Sequence, residues 1–229
     1  MSEISVYTVR TGAFSGEEPA RRACRELDRI RLGKADACKR KEDRVRSICC
    51  GLLLQYALRR YLKTEEKVEI RYAFGPYGKP YLPEYPRLQF SLSHSGGLVG
   101  AAFADREVGL DVQAVRPVRK IMARRIFSAS EYDRYEHMVS CEEQTDWFFR
   151  CWCAKESYAK LTGEGLGTDF RRICFVPEHR CILPDGICME DTPAPGYYLN
   201  VCTRRTEEAP HFGRTKDMTE ELLRYFRLS

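Results

Sequence analysis

Glu156 and Lys160, in WCAKESYAK, are the first pair whose types could do chemistry. A carboxylate can take a proton or hold a cation, and an ammonium can neutralise an anion. At i and i+4 the two share one helix face, and Lys155 sits beside Glu156. Such a pair on an exposed helix is common and worth little, and spacing alone favours that plain reading. Trp152 and Tyr158 on the same turn, however, imply a helix packed on more than one side. Asp111 stands inside the alternating strand VGLDVQ, where aspartate is disfavoured. It shares a face with Gly109 and Gln113, opposite Val108, Leu110 and Val112. That face is either solvated or holds a carboxylate at a strand end for a hard cation such as Mg²⁺, which takes one or two carboxylates plus phosphate oxygens and water.

Two further clusters suit anions. SLSHSGG places Ser91, Ser93, His94 and Ser95 where a strand turns over. It reads as a small polar turn or as a phosphate cradle of hydroxyls, imidazole and backbone N–H groups. No G-x-S-x-G elbow accompanies it, which argues against a hydrolase. Lys79 in GKP offers a cation on a proline-stiffened loop, and Arg31, Lys34, Arg44 and Arg46 offer more near a helix. Each alone is a solvated charge; together they could neutralise a polyanion.

The elements that must position these residues follow from periodicity. A short strand begins near Ile4 and Val6. Helical patterns run over Pro19–Leu32 and about Glu42–Leu62, the second interrupted by Gly51, which predicts a close contact there. Period-two alternation follows at Val68–Tyr72 and Leu88–Leu92. A buried strand at Leu98–Ala104 and a strand at Val108–Val112 come next. After a linker at Ala114–Pro117 come helices near Val118–Arg125, Ser130–Val139 and Glu142–Leu161. Ser128 and Glu131 stand at the spacing of a capping box. Beyond Gly167, short strands are expected around Ile173–Phe175, Cys181–Leu183 and Tyr197–Cys202, then an amphipathic helix over Thr215–Leu228. Strands and helices thus occur twice. The expected architecture is α+β, two similar lobes of residues 1–113 and 114–229, with the active site at their junction.

Bulk properties narrow the partners. The chain has 229 residues, 43% hydrophobic and 31% charged, and a net charge of +5. That is too mild for a dedicated nucleic-acid binder, and an RNA-binding module would need a platform of aromatics interleaved with basic residues. The surplus does suit anionic ligands or acidic partners. The opening MSEISVYTVR lacks a basic run followed by an apolar one, and the best apolar stretch, Cys49–Leu58, is broken by Gly51 and Gln55. No membrane association and a cytoplasmic location are expected. The 11 cysteines then read as reduced thiols, small buried hydrophobes rather than a zinc site, since no C-x-x-C occurs.

In order along the chain, YGKP (Tyr77–Pro80), FSLSHSGG (Phe90–Gly97), VGLDV (Val108–Val112), FSASEY (Phe127–Tyr132) and DWFFRCWCAKESYAKLTGEGL (Asp146–Leu166) resemble the surfactin-type 4′-phosphopantetheinyl transferases. KEDRVRS (Lys41–Ser47) is similar to that family's N-terminal region. The resemblance covers residues 30–168. It implies a monomeric pseudo-dimer holding coenzyme A and Mg²⁺ between its lobes and modifying apo acyl or peptidyl carrier proteins. It implies Asp111 and Glu156 as metal ligands; since a serine hydroxyl must lose its proton to attack, Glu156 is also expected to be the base. Lys160 would stand at the pyrophosphate, and Ser93 and His94 at the 3′-phosphoadenosine end. Lys79, Arg31, Lys34 and Arg46 would contact the nucleotide, with Lys155 in the same signature. Family members often carry an acid two residues after the aspartate. Here it is Gln113, a weaker ligand, which predicts looser metal binding or an extra water. A family member that binds coenzyme A but has lost transfer is the competing expectation.

Overall fold

The computed structural model describes residues 3–228; Met1, Ser2 and Ser229, the outer ends of the two expected lobes, lie outside the described residues. Strand β1 (Ser5–Arg10) comes first. The arginine-rich stretch expected as one helix is two, α1 (Glu17–Glu26) and α2 (Arg29–Asp36). Asp28 makes the break: its carboxylate accepts from the Ile30 and Arg31 amides at 3.0 Å each, capping α2. The long helix α3 (Lys41–Leu62) runs as expected. A Cβ on its Gly51 would lie 2.5 Å from Leu27 Cδ2, the close contact that the glycine foretold.

The alternation at Val68–Tyr72 does not form a strand. Only the two-residue strands β2 (Ala73–Phe74) and β3 (Pro80–Tyr81) pair there, flanking the Gly/Pro loop. Val68 is satisfied by one buried side chain. Gln55 donates to its carbonyl at 2.6 Å and accepts from its amide at 3.1 Å, supplying what a neighbouring strand would have supplied.

Next come β4 (Gln89–Ser95), β5 (Leu98–Ala104) and β6 (Val108–Ala114). Helices α4 (Lys120–Ile126), α5 (Ala129–Glu136) and α6 (Cys141–Thr162) follow. The Ser128–Glu131 capping box is present, and Ser140–Glu143 forms a second at the start of α6. Strands β7 (Cys174–Val176), β8 (Cys181–Leu183), β9 (Gly186–Asp191) and β10 (Tyr197–Arg204) complete an antiparallel sheet in the order β6-β10-β9-β8-β7. Strand β11 (Lys216–Asp217) and helix α7 (Thr219–Tyr225) end the chain's ordered elements. The other large sheet has the order β11-β1-β5-β4.

The fold is α+β, and among the described residues the buried hydrophobic side chains gather in three clusters. α1–α3 with β4 and β5 enclose Leu27, Ile48, Leu52 and Phe90. α4–α6 with β7–β9 enclose Phe148, Cys151, Phe175 and Ile182. In each half a 22-residue helix packs on antiparallel strands, α3 on β5 and α6 on β6 and β10. Between them Val6, Ala102, Leu110, Val112 and Val201 form a joining cluster. The tail departs from the expected grouping of residues 114–229. β11 pairs in parallel with β1, and Met218, Leu222, Phe226 and Leu228 lie in the first core. No helix among the described residues is long and apolar enough to cross a membrane.

The two large sheets meet where β4 runs beside β6, and serines replace the backbone ladder. The Leu110 amide donates to Ser91 Oγ at 2.9 Å and the Ala114 amide to Ser95 Oγ at 3.0 Å. The equal offset makes the two strands parallel. The serine between them, Ser93, donates instead to Asp111 Oδ1 at 2.7 Å. The polar turn read from SLSHSGG is thus the seam of the molecule.

Candidate functional site

Asp111 reaches the seam because α6 lies hard against β6. A Cβ on Gly109 would fall 1.9 Å from the Ser157 carbonyl oxygen and 2.5 Å from the Leu161 amide nitrogen. No side chain fits, so glycine sets the approach of strand to helix. The face shared by Gly109 and Asp111 is therefore covered, not solvated, and Asp111 is 2% exposed. One turn of α6 brings Lys160 across to it: the ammonium donates to Asp111 Oδ1 at 2.6 Å and to Ser93 Oγ at 2.7 Å. Glu156, one turn earlier, stands close enough for Asp111 to act on it. Burial, then the Asp111 charge, push its carboxyl up to about 7 against the pull of Lys160.

Lys160 also lines a cavity of about 620 Å³ between the halves, together with Arg31, Lys34, Lys79 and His94. That volume suits a small-molecule ligand, and the lining suits an anionic one. Arg31 lies 5.8 Å from the centre of the Tyr72 ring, and Tyr72 donates to Asp28 Oδ2 at 3.0 Å. The cap of α2 thus also steadies this wall. Lys79 donates to the Leu161 carbonyl at 2.9 Å and the Val108 carbonyl at 3.3 Å. It ties the Gly/Pro loop to the end of α6 and the start of β6, and burial lowers its pKa. Desolvation in the cleft, then the Arg46 and Lys160 charges, hold His94 below the usual imidazole value. Arg46 faces the β4–β5 turn, donating to the Gly96 carbonyl at 2.8 Å and pairing with Asp43, which does line the cavity.

Lys155 is not brought to this site. It is fully buried on another face of α6, paired with Glu131 at 2.5 Å and donating to the Ile126 and Phe170 carbonyls at 2.8 Å each. Glu131 in turn accepts from the Ser128 amide at 2.7 Å and the Phe175 amide at 2.8 Å. Adjacent positions on a helix point about 100° apart, so a neighbour of Glu156 in sequence is not its neighbour in the cleft. Lys155 organises the second core.

Gln113 does reach Asp111, donating Nε2 to Oδ2 at 2.7 Å. A carboxylate only accepts, so the amide must present its nitrogen. Among the described residues no three His, Cys, Asp or Glu side chains gather as a metal cage would require. Asp111 lies near enough to raise the Glu156 carboxyl, though burial raises it more, and a divalent cation would relieve that repulsion. With phosphate oxygens and water the two carboxylates make a donor set of the kind that Mg²⁺ takes, so the residues present fit that ion.

Some lining residues escaped the sequence reading. Tyr77, Asp43 and Ser47 face the cavity; they lie inside the YGKP and KEDRVRS motifs, yet nothing in their residue types or spacing singled them out. All eleven cysteines are free of disulfides; Cys49, Cys50, Cys151, Cys153, Cys188 and Cys202 are buried.

The family model described as the 4′-phosphopantetheinyl transferase superfamily matches residues 107–198. The 4′-phosphopantetheinyl transferase ffp of Bacillus subtilis is 32% identical over 188 residues, covering 76% of this chain and 82% of that one. The 4′-phosphopantetheinyl transferase Sfp of Bacillus subtilis (strain 168) is 35% identical over 136 residues, covering 58% and 60%. The 4′-phosphopantetheinyl transferase psf-1 of Bacillus pumilus is 34% identical over 149 residues, again covering 58% and 60%. The match thus spans less than two thirds of the length of the last two relatives.

Proposed function

The chain belongs to the surfactin-type 4′-phosphopantetheinyl transferase family, and from that membership we propose that it moves the 4′-phosphopantetheine arm of coenzyme A onto a serine of an apo acyl or peptidyl carrier protein. The observation that carries the proposal is the position of Lys160. It lines the basic cavity and at the same time bonds Asp111, one turn from Glu156. A polyanionic ligand in the cavity would therefore lie beside the carboxylate pair.

The serine hydroxyl attacks the phosphorus that bears pantetheine, and the bond to the second phosphate breaks, releasing 3′,5′-ADP. A serine hydroxyl is a poor nucleophile until it loses its proton. Glu156, whose carboxyl is raised to about 7 in the cation-free protein and would ionise more readily beside a cation, is suited to accept it at neutral pH. Asp111 and Glu156 would hold Mg²⁺, which when bound supplies charge neutralisation to the diphosphate oxygens. Lys160 neutralises the phosphate that leaves, and Arg31, Lys34 and Lys79 hold the nucleotide end by charge, with His94 as a hydrogen-bonding wall. Positioning and electrostatics carry most of the rate, as in phosphoryl transfer generally. The chain's charge of +5 favours an acidic carrier. The protein would work as a cytoplasmic monomer.

Intact mass spectrometry of an apo carrier incubated with the protein, coenzyme A and Mg²⁺ tests this. The carrier should gain one phosphopantetheine; EDTA should prevent it and Glu156→Gln should slow it sharply. No gain across acyl and peptidyl carriers, with coenzyme A binding intact, would leave a coenzyme A-binding protein without transfer.

A further inference from the structure

Three donors converge on Asp111. Lys160 and Ser93 donate to Oδ1 and Gln113 to Oδ2. Lys160 also donates to Ser93, so the three groups close a ring. Asp111 is 3% exposed in its side chain, whereas Lys160 is 30% exposed and lines the cavity. A divalent cation approaching Asp111 meets an ammonium already in place.

We propose that Lys160 is an internal counter-ion of Asp111, which keeps divalent cations out of the ligand-free site and is drawn off when a diphosphate enters the cavity. The inference rests on the functional reading above and deepens it by setting the order in which the site fills. Without ligand, Asp111 and Lys160 cancel, and Glu156 is the remaining acid of the cluster. Gln113 adds a donor where a second acid would have added charge. The attraction for a divalent cation is therefore small, and a like charge a few ångströms away opposes it. A diphosphate in the cavity gives Lys160 another anion and gives the cation further oxygen ligands. Cation and diphosphate then bind cooperatively, each strengthening the other by one factor.

Manganese binding, followed by electron paramagnetic resonance of free Mn²⁺, tests this without measuring transfer. Three proteins are compared, wild type, Lys160→Met and Lys160→Gln, each with and without coenzyme A. Circular dichroism confirms that each is folded, and the glutamine variant, which can still bond Ser93, stands in if the methionine variant is not. Wild type should bind Mn²⁺ weakly alone and much more tightly with coenzyme A. Removing the ammonium should tighten binding to the ligand-free protein by about tenfold or more and shrink the gain from coenzyme A. Equal or weaker Mn²⁺ binding by both ligand-free variants overturns the counter-ion role. If no protein binds Mn²⁺ even with coenzyme A bound, the metal-dependent transferase reading fails with it. If wild type alone binds Mn²⁺ tightly without ligand, the counter-ion role falls and the transferase reading stands.

Discussion

At Glu156 the same burial that suits a base also stores a cost of ionisation. Its carboxyl is raised to about 7 in the folded protein from an ordinary 4.5, so the folded chain holds that proton more tightly than the unfolded one. The associated stability is fully present below about pH 4.5 and is lost as pH rises through about 7. In metal-free buffer Glu156→Gln, which cannot ionise, should melt with wild type near pH 4.5 and above it at pH 8. Thermal melts at the two pH values check this; equal melting at pH 8 would mean that Glu156 ionises freely. The same variant should lower transfer by about 10²–10⁴-fold, the usual worth of a positioned base. Lys155 makes the opposite case. Lys155→Met removes the counter-ion of Glu131 in the core, at a cost of about 3–5 kcal/mol. Adding Glu131→Gln should recover part of it, and coenzyme A affinity of the folded protein should not change. A loss of coenzyme A affinity at full stability would return Lys155 to the cleft. Residue types and their order along the chain make Asp111, Glu156 and Lys160 legible in the sequence. Spacing alone does not, because an i, i+4 pair looks the same on a surface as in a cleft.

Among the elements, β6 and α6 depend on one missing side chain. Gly109→Ala places a methyl where backbone already stands, and relief requires strand and helix to part. Overpacking costs typically 1–3 kcal/mol, about the least expected here. The movement separates Asp111 from Lys160, so transfer should fall further than the melting temperature predicts. Transfer that simply tracks the folded fraction would show that the approach does not set the site. Ser91 and Ser95 accept strand amides across the seam, and Ser91→Ala would leave the buried Leu110 amide unpaired, at about 1–3 kcal/mol; urea unfolding measures it. Both long helices and the strands β4 and β6 could be read from periodicity, and β5 and β8 from short apolar runs. The break at Leu27–Asp28 and the unpaired stretch at Val68 could not. One is decided by a cap competing with a continuous apolar stripe, the other by Gln55, a residue thirteen positions away.

Over the whole molecule, the doubled order of helices and strands reads as two lobes, and two of the buried clusters are each built around one long helix. Nothing local announced where the tail goes. A helix with one apolar face records that it is covered, not by which half. Leu222 and Phe226 lie with Tyr56 and Leu53 in the first core, and Met218 donates its amide to the Thr8 carbonyl at 2.8 Å. During synthesis, then, β1 and the helices beside it leave the ribosome long before the segment that covers them. Thr8 and Lys216 are 208 positions apart, and strands paired across such a distance form late because the loop between them must first close. Until then one sheet edge and one apolar face of the first half stand open to water, to chaperones and to other nascent chains.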